Sequence, residues 1–443
     1  MSIMQRISQN ILRWEWLILL LILPLTFFPP GKWTALLLLL PVLLLLRRAA
    51  TGHFFSQTPY DIAILLLMVM LLVSLYATFD IQLSMPKIAG LYVAVFIFYG
   101  AVAFTRQRKH GLWYLLTFFF LVGLGMGGIG LLGTTWPSPF SFLNQIKTFI
   151  PLAQTGILGT DSIINPNFLA GALLLIAPLF LAAAIGLTPT LWRNHKLFTV
   201  LFASSAIFIS GLIVATGSRG GIVSLFISIL IMLAIQFKWG KWLLIAAGIG
   251  AIGLLIYFQQ DITTALAQGS DPIGGIEGRL EIWSRAIYGL QDFPFTGMSM
   301  NGFRKVVHIL YPLFLISPDS DIGHAHNHLL QAGLDLGLPG LISYLALWFI
   351  SVGLLWKGWQ KKHKPEQQIL LVGLCGSFTA GWMFGILDSL GLGERPGFVW
   401  WLLLAIMVAV FDDIMKTSAS RADNDSANGR LPSSPTPTDA HRL

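Results

Sequence analysis

The sequence predicts an all-α polytopic membrane protein, and three observations carry that expectation. First, 55% of its residues are hydrophobic and only 11% are charged, where a soluble globular protein carries about a quarter charged. Second, long apolar runs recur, among them Trp16–Phe28, Leu36–Leu46, Ile62–Leu75 and Ile207–Ala215. With their small and aromatic neighbours they reach the ~20 residues that cross a bilayer as a helix. Third, the runs lack the short alternating segments of an outer-membrane barrel.

Taken in order, the apolar segments give about twelve transmembrane helices, near residues 15–29, 33–46, 60–79, 88–104, 111–133, 166–187, 196–216, 221–236, 242–259, 337–356, 368–388 and 397–411. The first follows Arg6 and Arg13 and ends in Phe27-Phe28-Pro29-Pro30 without a small-x-small cleavage site, so it reads as a retained helix. An even count puts both termini on one side. With the termini cytoplasmic, every inner loop holds at least two cations. Lys32, Lys87, Lys147, Arg219 and Arg395 fall one to an outer loop, and the longest outer loop holds Arg279, Arg285, Arg304 and Lys305. That alternation follows the positive-inside rule. It also accounts for the net charge of +8 without nucleic acid, because the cations are spread between helices. The lone Cys375 excludes a disulfide within the chain and a cysteine metal site. A transmembrane domain spans residues 1–416. Residues 417–443, rich in Ser, Pro, Thr, Asp and Asn, are expected to be a disordered cytoplasmic tail.

Two outer segments exceed ordinary connections, residues 133–165 and the large loop at 260–336, and loops of that length usually have a function. Arg219 sits in Gly217-Ser218-Arg219-Gly220-Gly221, a tight turn between two apolar helices. A snorkelling anchor in the headgroup layer would explain a lone arginine there. The small neighbours expose backbone N–H groups and clear the space a phosphate needs. Arg279 opens an amphipathic helix on which Leu280, Trp283, Ile287 and Leu290 recur at helical spacing. Arg285 follows Glu281 by four residues, so a surface ion pair accounts for it. Arg279 lacks such a partner, and a cation in a first helical turn opposes the helix dipole unless an anion binds there.

His324, His326 and His328 precede Leu329, Leu330 and Gln331 in what reads as a short helix ended by Gly337, with Pro339 just beyond. On such a helix His326 shares the packed face with Leu329, Leu330 and Gly333, and His328 shares the polar face with Gln331 and Asp335. Side chains two residues apart diverge by about 200° on a helix, so a shared metal is not expected. Zinc would also want a facing carboxylate, and the sequence offers none nearby. His326 is either a core histidine or a general base at the membrane boundary. Asp319-Ser320-Asp321 is similar to a metal–nucleotide acidic pair, but it lies on the outer side, where nucleotide sugars are not expected. Asn165-Pro166-Asn167 opens the sixth helix, where an asparagine is an N-cap or lines a sugar site.

The ordered set resembles the O-antigen ligase and polymerase superfamily of bacterial envelope proteins. The likeness rests on Asn165-Pro166-Asn167 before a helix, Gly217–Gly221, and Arg279 followed by Trp283 and the Pro294…Gly297 stretch. His326-Asn327 with Leu330-Gln331, and Gly337-Leu338-Pro339-Gly340, complete it. It spans residues 160–390, and each motif alone is weak. The resemblance implies a GT-C-like glycosyltransferase of the bacterial inner membrane, with its active site facing the periplasm and neither metal nor other cofactor. It further implies an undecaprenyl-diphosphate-linked glycan as donor and a hydroxyl on lipid A core, on another repeat unit or on a protein as acceptor. On this reading Arg219 and Arg279 bind the donor diphosphate, and His326 activates the acceptor hydroxyl. Ser218, Asn327, Asn165 and Asn167 support them. A ligase, a repeat-unit polymerase and a protein O-oligosaccharyltransferase share this chemistry. A small-anion transporter is the alternative of another class. It would need paired ionisable groups within the spans, and the candidates Asp61 and Asp388 lie at helix ends.

Overall fold

A computed structural model describes residues 3–12, 14, 39–149, 164–191, 196–257, 275–389 and 392–427. Among these every regular element is a helix. The expected first helix and the start of the second, within 15–38, lie outside the described residues, as do 428–443. The helices are α1 (Ile3–Leu12), α2 (Leu39–Thr51), α3 (Asp61–Ala77), α4 (Ile81–Gln107) and α5 (Gly111–Gly133). Then come α6 (Pro166–Leu174), α7 (Ala177–Leu191), α8 (Lys196–Ala215), α9 (Arg219–Gln236) and α10 (Gly240–Tyr257). The loop carries α11 (Ile276–Asp292) and α12 (Phe303–Leu310), followed by α13 (His328–Trp359), α14 (Pro365–Leu387) and α15 (Phe398–Ala427). Short 3-10 turns cover Phe140–Phe149 and Arg395–Gly397.

Six of these helices are long and apolar enough to cross a membrane, α6 and α7 together form a seventh, bent candidate, and three shorter apolar helices accompany them. The sequence read 166–187 as one straight helix. The chain bends by 42° between α6 and α7. Pro178 explains the break, since it lacks an N–H and its ring crowds the carbonyl four residues back, at the end of α6. Helix α4 starts seven residues earlier than expected, at Ile81, capped by Asp80 accepting from the Gln82 and Leu83 amides. Lys87 therefore belongs to a buried helical turn and not to an outer loop. Helix α15 runs on past Lys416 to Ala427.

The core is built on α15, whose residues Phe398–Val410 are buried on every side, as expected of a helix apolar all round. It packs on α4, and a second group joins α14 to α7 and α9. Aromatic rings fill the seams, Trp401 against Phe98 and Tyr344 against Trp400 among them. The loop between α10 and α13 has a small core of its own, centred on Ile282, Ala286, Phe303, Val307 and Leu334. The face carrying it is the loop face.

Two glycines lock that loop to the bundle. Gly337 breaks α13 with φ 69° and ψ 179°, a backbone geometry open to glycine because it lacks Cβ. The turn Phe293–Met298 fits into the break. Leu338 N–H donates to Pro294 O at 2.7 Å and Met298 N–H to Leu334 O at 2.6 Å. Gly297, also at positive φ, faces the Leu334 carbonyl, and a Cβ at Gly337 would run into the Phe295 carbonyl. The Pro294…Gly297 and Gly337…Gly340 motifs are thus the two halves of one interlock.

The apolar stripe expected on α11 is displaced. Gly278, Ile282, Ala286 and Gly289 are buried, whereas Leu280 and Ile287 are exposed. Gly289 lets α11 approach Met298 and Leu334 closely, so small residues mark the packed face and hydropathy alone misplaces it. The Arg285–Glu281 ion pair exists, at 3.5 Å. Both side chains also hold the following loop. Glu281 accepts from the Phe314 and Leu315 amides, and Arg285 donates to the Pro312 carbonyl at 2.9 Å.

Candidate functional site

The histidine loop lies at the loop face. Asn327 caps α13, its Oδ1 accepting from the Leu329 and Leu330 amides at 3.0 Å. Helix α13 therefore starts at His328, and His324 and His326 lie before it on non-helical chain. This corrects the helical reading of the motif. Off the helix the two side chains need not diverge, and the His324 and His326 rings lie with centroids 4.3 Å apart. His328 is the buried core histidine: its Nδ1 lies 3.0 Å from the Tyr344 hydroxyl, and Trp348 and Trp382 wall its ring. The expected assignment of faces is thus reversed. His326 takes φ +48°, a strained backbone for a side-chain-bearing residue.

The carboxylate absent near His326 in sequence arrives from α14. Asp388, at its C-terminal end, has Oδ1 3.4 Å from His324 Nε2 and 3.9 Å from His326 Nδ1. His324 Nδ1 accepts from the His326 backbone N–H at 3.2 Å, so the proton of neutral His324 is on Nε2, facing Asp388. His326 Nδ1 is buried with no hydrogen-bond partner. If it carries the proton toward Asp388, Nε2 is left as the basic nitrogen. Burial pushes His326 down to about 3, with the His324 ring and the Arg279 charge adding to it. Burial likewise pushes His324 down to about 3, with the charges of Lys87, Arg279 and Arg304 contributing. Burial raises Asp388 to about 6, against the opposing Ser389 N–H and Arg279 charge. At neutral pH the site holds two neutral imidazoles beside an ionised carboxylate.

Arg279 joins this cluster. Its charge acts on both histidines and on Asp388, and its Nε is buried without a hydrogen-bond partner. A guanidinium donor held this way awaits an acceptor. Arg219 is exposed in the first turn of α9. Its neighbour Gly220 faces Leu387 and Phe384 at the C-terminal end of α14, so Arg219 lies beside the helix end that bears Asp388. Gly217 turns the chain at φ +68°. Ser218 is the N-cap of α9, accepting from the Gly221 amide at 3.2 Å. Asn165 is the N-cap of α6, accepting from Asn167 N–H at 2.8 Å. The following Phe168 stands edge-on to His324 with centroids 5.9 Å apart, which brings this motif to the cluster. Asn327 reaches it too, donating through Nδ2 to the Ile386 carbonyl at 3.1 Å. Asp321 lies apart, paired with Arg304.

A polar chain behind the loop was not legible in the sequence. Gln331 Oε1 accepts from Ala325 N–H at 2.7 Å, and its Nε2 donates to Asp335 Oδ1 at 2.9 Å. Asp335 Oδ1 also accepts from Asn301 N–H, and Oδ2 pairs with Lys87 at 2.7 Å. Lys87 pairs in turn with Glu394 at 2.9 Å. This supplies a buried ion pair of the kind a transporter reading demands, but Asp335 is committed to the backbone and to Gln331, which shapes the histidine loop.

His324, His326 and Asp388 each offer one ligand atom within 4.8 Å of the others, close enough for a metal. Their chemistry fits a proton-holding cluster better. A neutral imidazole that accepts at Nδ1 has no second lone pair at Nε2 for a cation. Arg279 also adds positive charge where a cation would enter.

Residues 203–345 match the family described as O-antigen ligase. That segment contains Arg219, Arg279 and His326, while Asp388 and the Asn165–Asn167 motif lie outside it. No curated protein matches the chain. The match extends over the interlocked loop, the arginines and the histidine turn, so the chain is similar to the O-antigen ligase family over that stretch.

Proposed function

We propose that this protein is an inverting, metal-independent glycosyltransferase that moves a glycan from undecaprenyl diphosphate to an acceptor hydroxyl. The reaction takes place on the periplasmic face of the bacterial inner membrane, with both chain termini cytoplasmic. The observation that carries the reading is the juxtaposition of neutral His326, Asp388 at 3.9 Å and the unpartnered Nε of Arg279.

His326 Nε2 takes the proton of the acceptor hydroxyl while its oxygen attacks the anomeric carbon. The bond from that carbon to the diphosphate breaks, and the electron pair leaves with the phosphate oxygen. Attack opposite the leaving group inverts the anomeric centre. Arg279 and Arg219 stabilise the charge that grows on the diphosphate, as fixed guanidiniums do where water is scarce. Asp388 stabilises the imidazolium as it forms, so the weakly basic ring gains strength at the moment of transfer. Asn327 fixes the turn, and Asn165 and Ser218 set the helix ends that bring Phe168 and Arg219 to the site.

The test is donor consumption in membranes supplied with an undecaprenyl-diphosphate-linked glycan, comparing wild type with Arg219→Ala, Arg279→Ala and His326→Ala at matched expression. Carrier-linked glycan disappears with wild type and persists with each variant. A single product then marks a ligase to lipid A core or protein, and a ladder marks a polymerase. Donor left untouched by wild type, or consumed equally by the variants, removes this reading and favours transport.

A further inference from the structure

One residue of the Arg279 motif has no part in the chemistry above. Trp283 follows Arg279 by about one helical turn on α11, so the two side chains share a face. The hydropathy pattern put Trp283 in an apolar stripe, but the packed face of α11 is Gly278, Ile282, Ala286 and Gly289. Trp283 stands beside that face, half-buried, and its indole Nε1–H donates to the His326 carbonyl at 3.3 Å.

That bond falls where the chain needs holding. His326 takes φ +48°, a left-handed geometry that side-chain-bearing residues keep only where their surroundings enforce it. No regular element does so here, because α13 begins at His328. Among the described residues the His326 backbone bonds only to side chains: its N–H donates to His324 Nδ1 at 3.2 Å, and its carbonyl accepts from Trp283. The His324 bond is internal to the turn and moves with it. Ala325 and Asn327, on either side, are tied to Gln331 and to the Ile386 carbonyl. Trp283 supplies the tie at the base itself.

Helix α11 is a firm anchor. Ile282 and Ala286 are buried in the loop's own core, and Glu281 and Arg285 hold the Pro312–Leu315 stretch. Arg279 and the tie to His326 thus stand about 5.4 Å apart along one rigid helix. Transfer needs such a fixed spacing between the group that grips the leaving diphosphate and the group that takes the proton, since small misplacements of reacting groups cost large factors in rate.

We propose that Trp283 is a positioning residue: its indole N–H holds His326 in its strained turn at a set place relative to Arg279, so that base and diphosphate grip act on one donor. The proposal rests on the transferase reading. It adds a residue that touches neither donor nor acceptor and acts through His326.

The test compares wild type, Trp283→Phe and Trp283→Met, each purified as the full chain in detergent. Two quantities are measured: steady-state transfer from an undecaprenyl-diphosphate-linked glycan, and amide hydrogen exchange. Both substitutions keep an apolar side chain and remove the donor, so loss of one variant to misfolding leaves the other. Each is expected to lower kcat about fivefold with KM for the donor within about twofold. Exchange over residues 323–327 should quicken about fivefold, while exchange in α14 stays as in wild type, which also reports the fold. A folded variant with kcat within about twofold of an active wild type, or with unchanged exchange over 323–327, overturns the proposal and leaves the transferase reading intact. A raised donor KM at unchanged kcat overturns it as well, marking the ring as a substrate-binding surface. Wild type that consumes no donor removes the transferase reading, and this role with it.

Discussion

Replacing Asp388 with asparagine removes a charge and keeps the side chain's shape. The carboxylate lies 3.9 Å from His326 Nδ1. At an effective dielectric of about 20, two unit charges at that separation interact by about 4 kcal/mol. The His326 side chain is 16% exposed, so water screens part of this, and about half is a fair expectation, or about 2 kcal/mol of imidazolium stabilisation. At about 1.4 kcal/mol per tenfold in rate, kcat should fall about 30-fold. The pH profile separates this role from a structural one. Asp388 titrates at about 6, so its charge is present above that pH and lost below it. His324 and His326, held near 3, contribute no step in this range. Wild-type turnover should therefore fall as pH drops through about 6, and Asp388→Asn should be slow with no such limb. Steady-state transfer between pH 5 and 8 measures both. An Asp388→Asn enzyme within twofold of wild type, or one that keeps the acid limb, would refute the reasoning.

Four further outcomes follow from the geometry. Gln331→Leu strips the Ala325 amide of its acceptor and leaves Asp335 short of a donor; at about 1–3 kcal/mol per unsatisfied buried group, kcat should drop about tenfold with KM little changed, measured by steady-state kinetics. Gly337→Ala meets the Phe295 carbonyl at positive φ, and a cost of about 1–3 kcal/mol should lower the thermal unfolding midpoint in detergent. Arg279→Lys replaces a planar fork with a point charge and should raise KM for the lipid diphosphate about tenfold, read in donor titrations. Chelation with EDTA should leave turnover within twofold, as measured before and after zinc or magnesium is restored.

The helical, membrane-spanning character was legible because it rests on composition and run length, which local sequence carries directly. The interlock at Gly297 and Gly337 was visible as motifs, but its meaning needed the two segments brought together. The site was legible in part. Arg279 and His326 stand in one cluster, and the N-cap role of Asn165 follows from residue type, whereas that of Ser218 appears only in the structure. The histidine alternation misled because period two was read on a helix, and the helix begins only after Asn327. Asp388 is 62 residues from His326 and looked like a helix end, so only the packing of α14 against the loop reveals it. Lys87 looked like a loop cation because α4 opens with the mixed run Ile81–Lys87, interrupted by Pro86, and its partners Asp335 and Glu394 are hundreds of residues away.

The central claim is that neutral His326 drives glycan transfer off a lipid diphosphate without a metal. The most direct measurement is the release of undecaprenyl diphosphate by purified protein in EDTA, with and without an acceptor hydroxyl, for wild type and His326→Ala. The account predicts acceptor-dependent release by wild type and its loss in the variant, with donor binding retained in both. Release by His326→Ala at the wild-type rate, or release by wild type only when a metal is supplied, would contradict it.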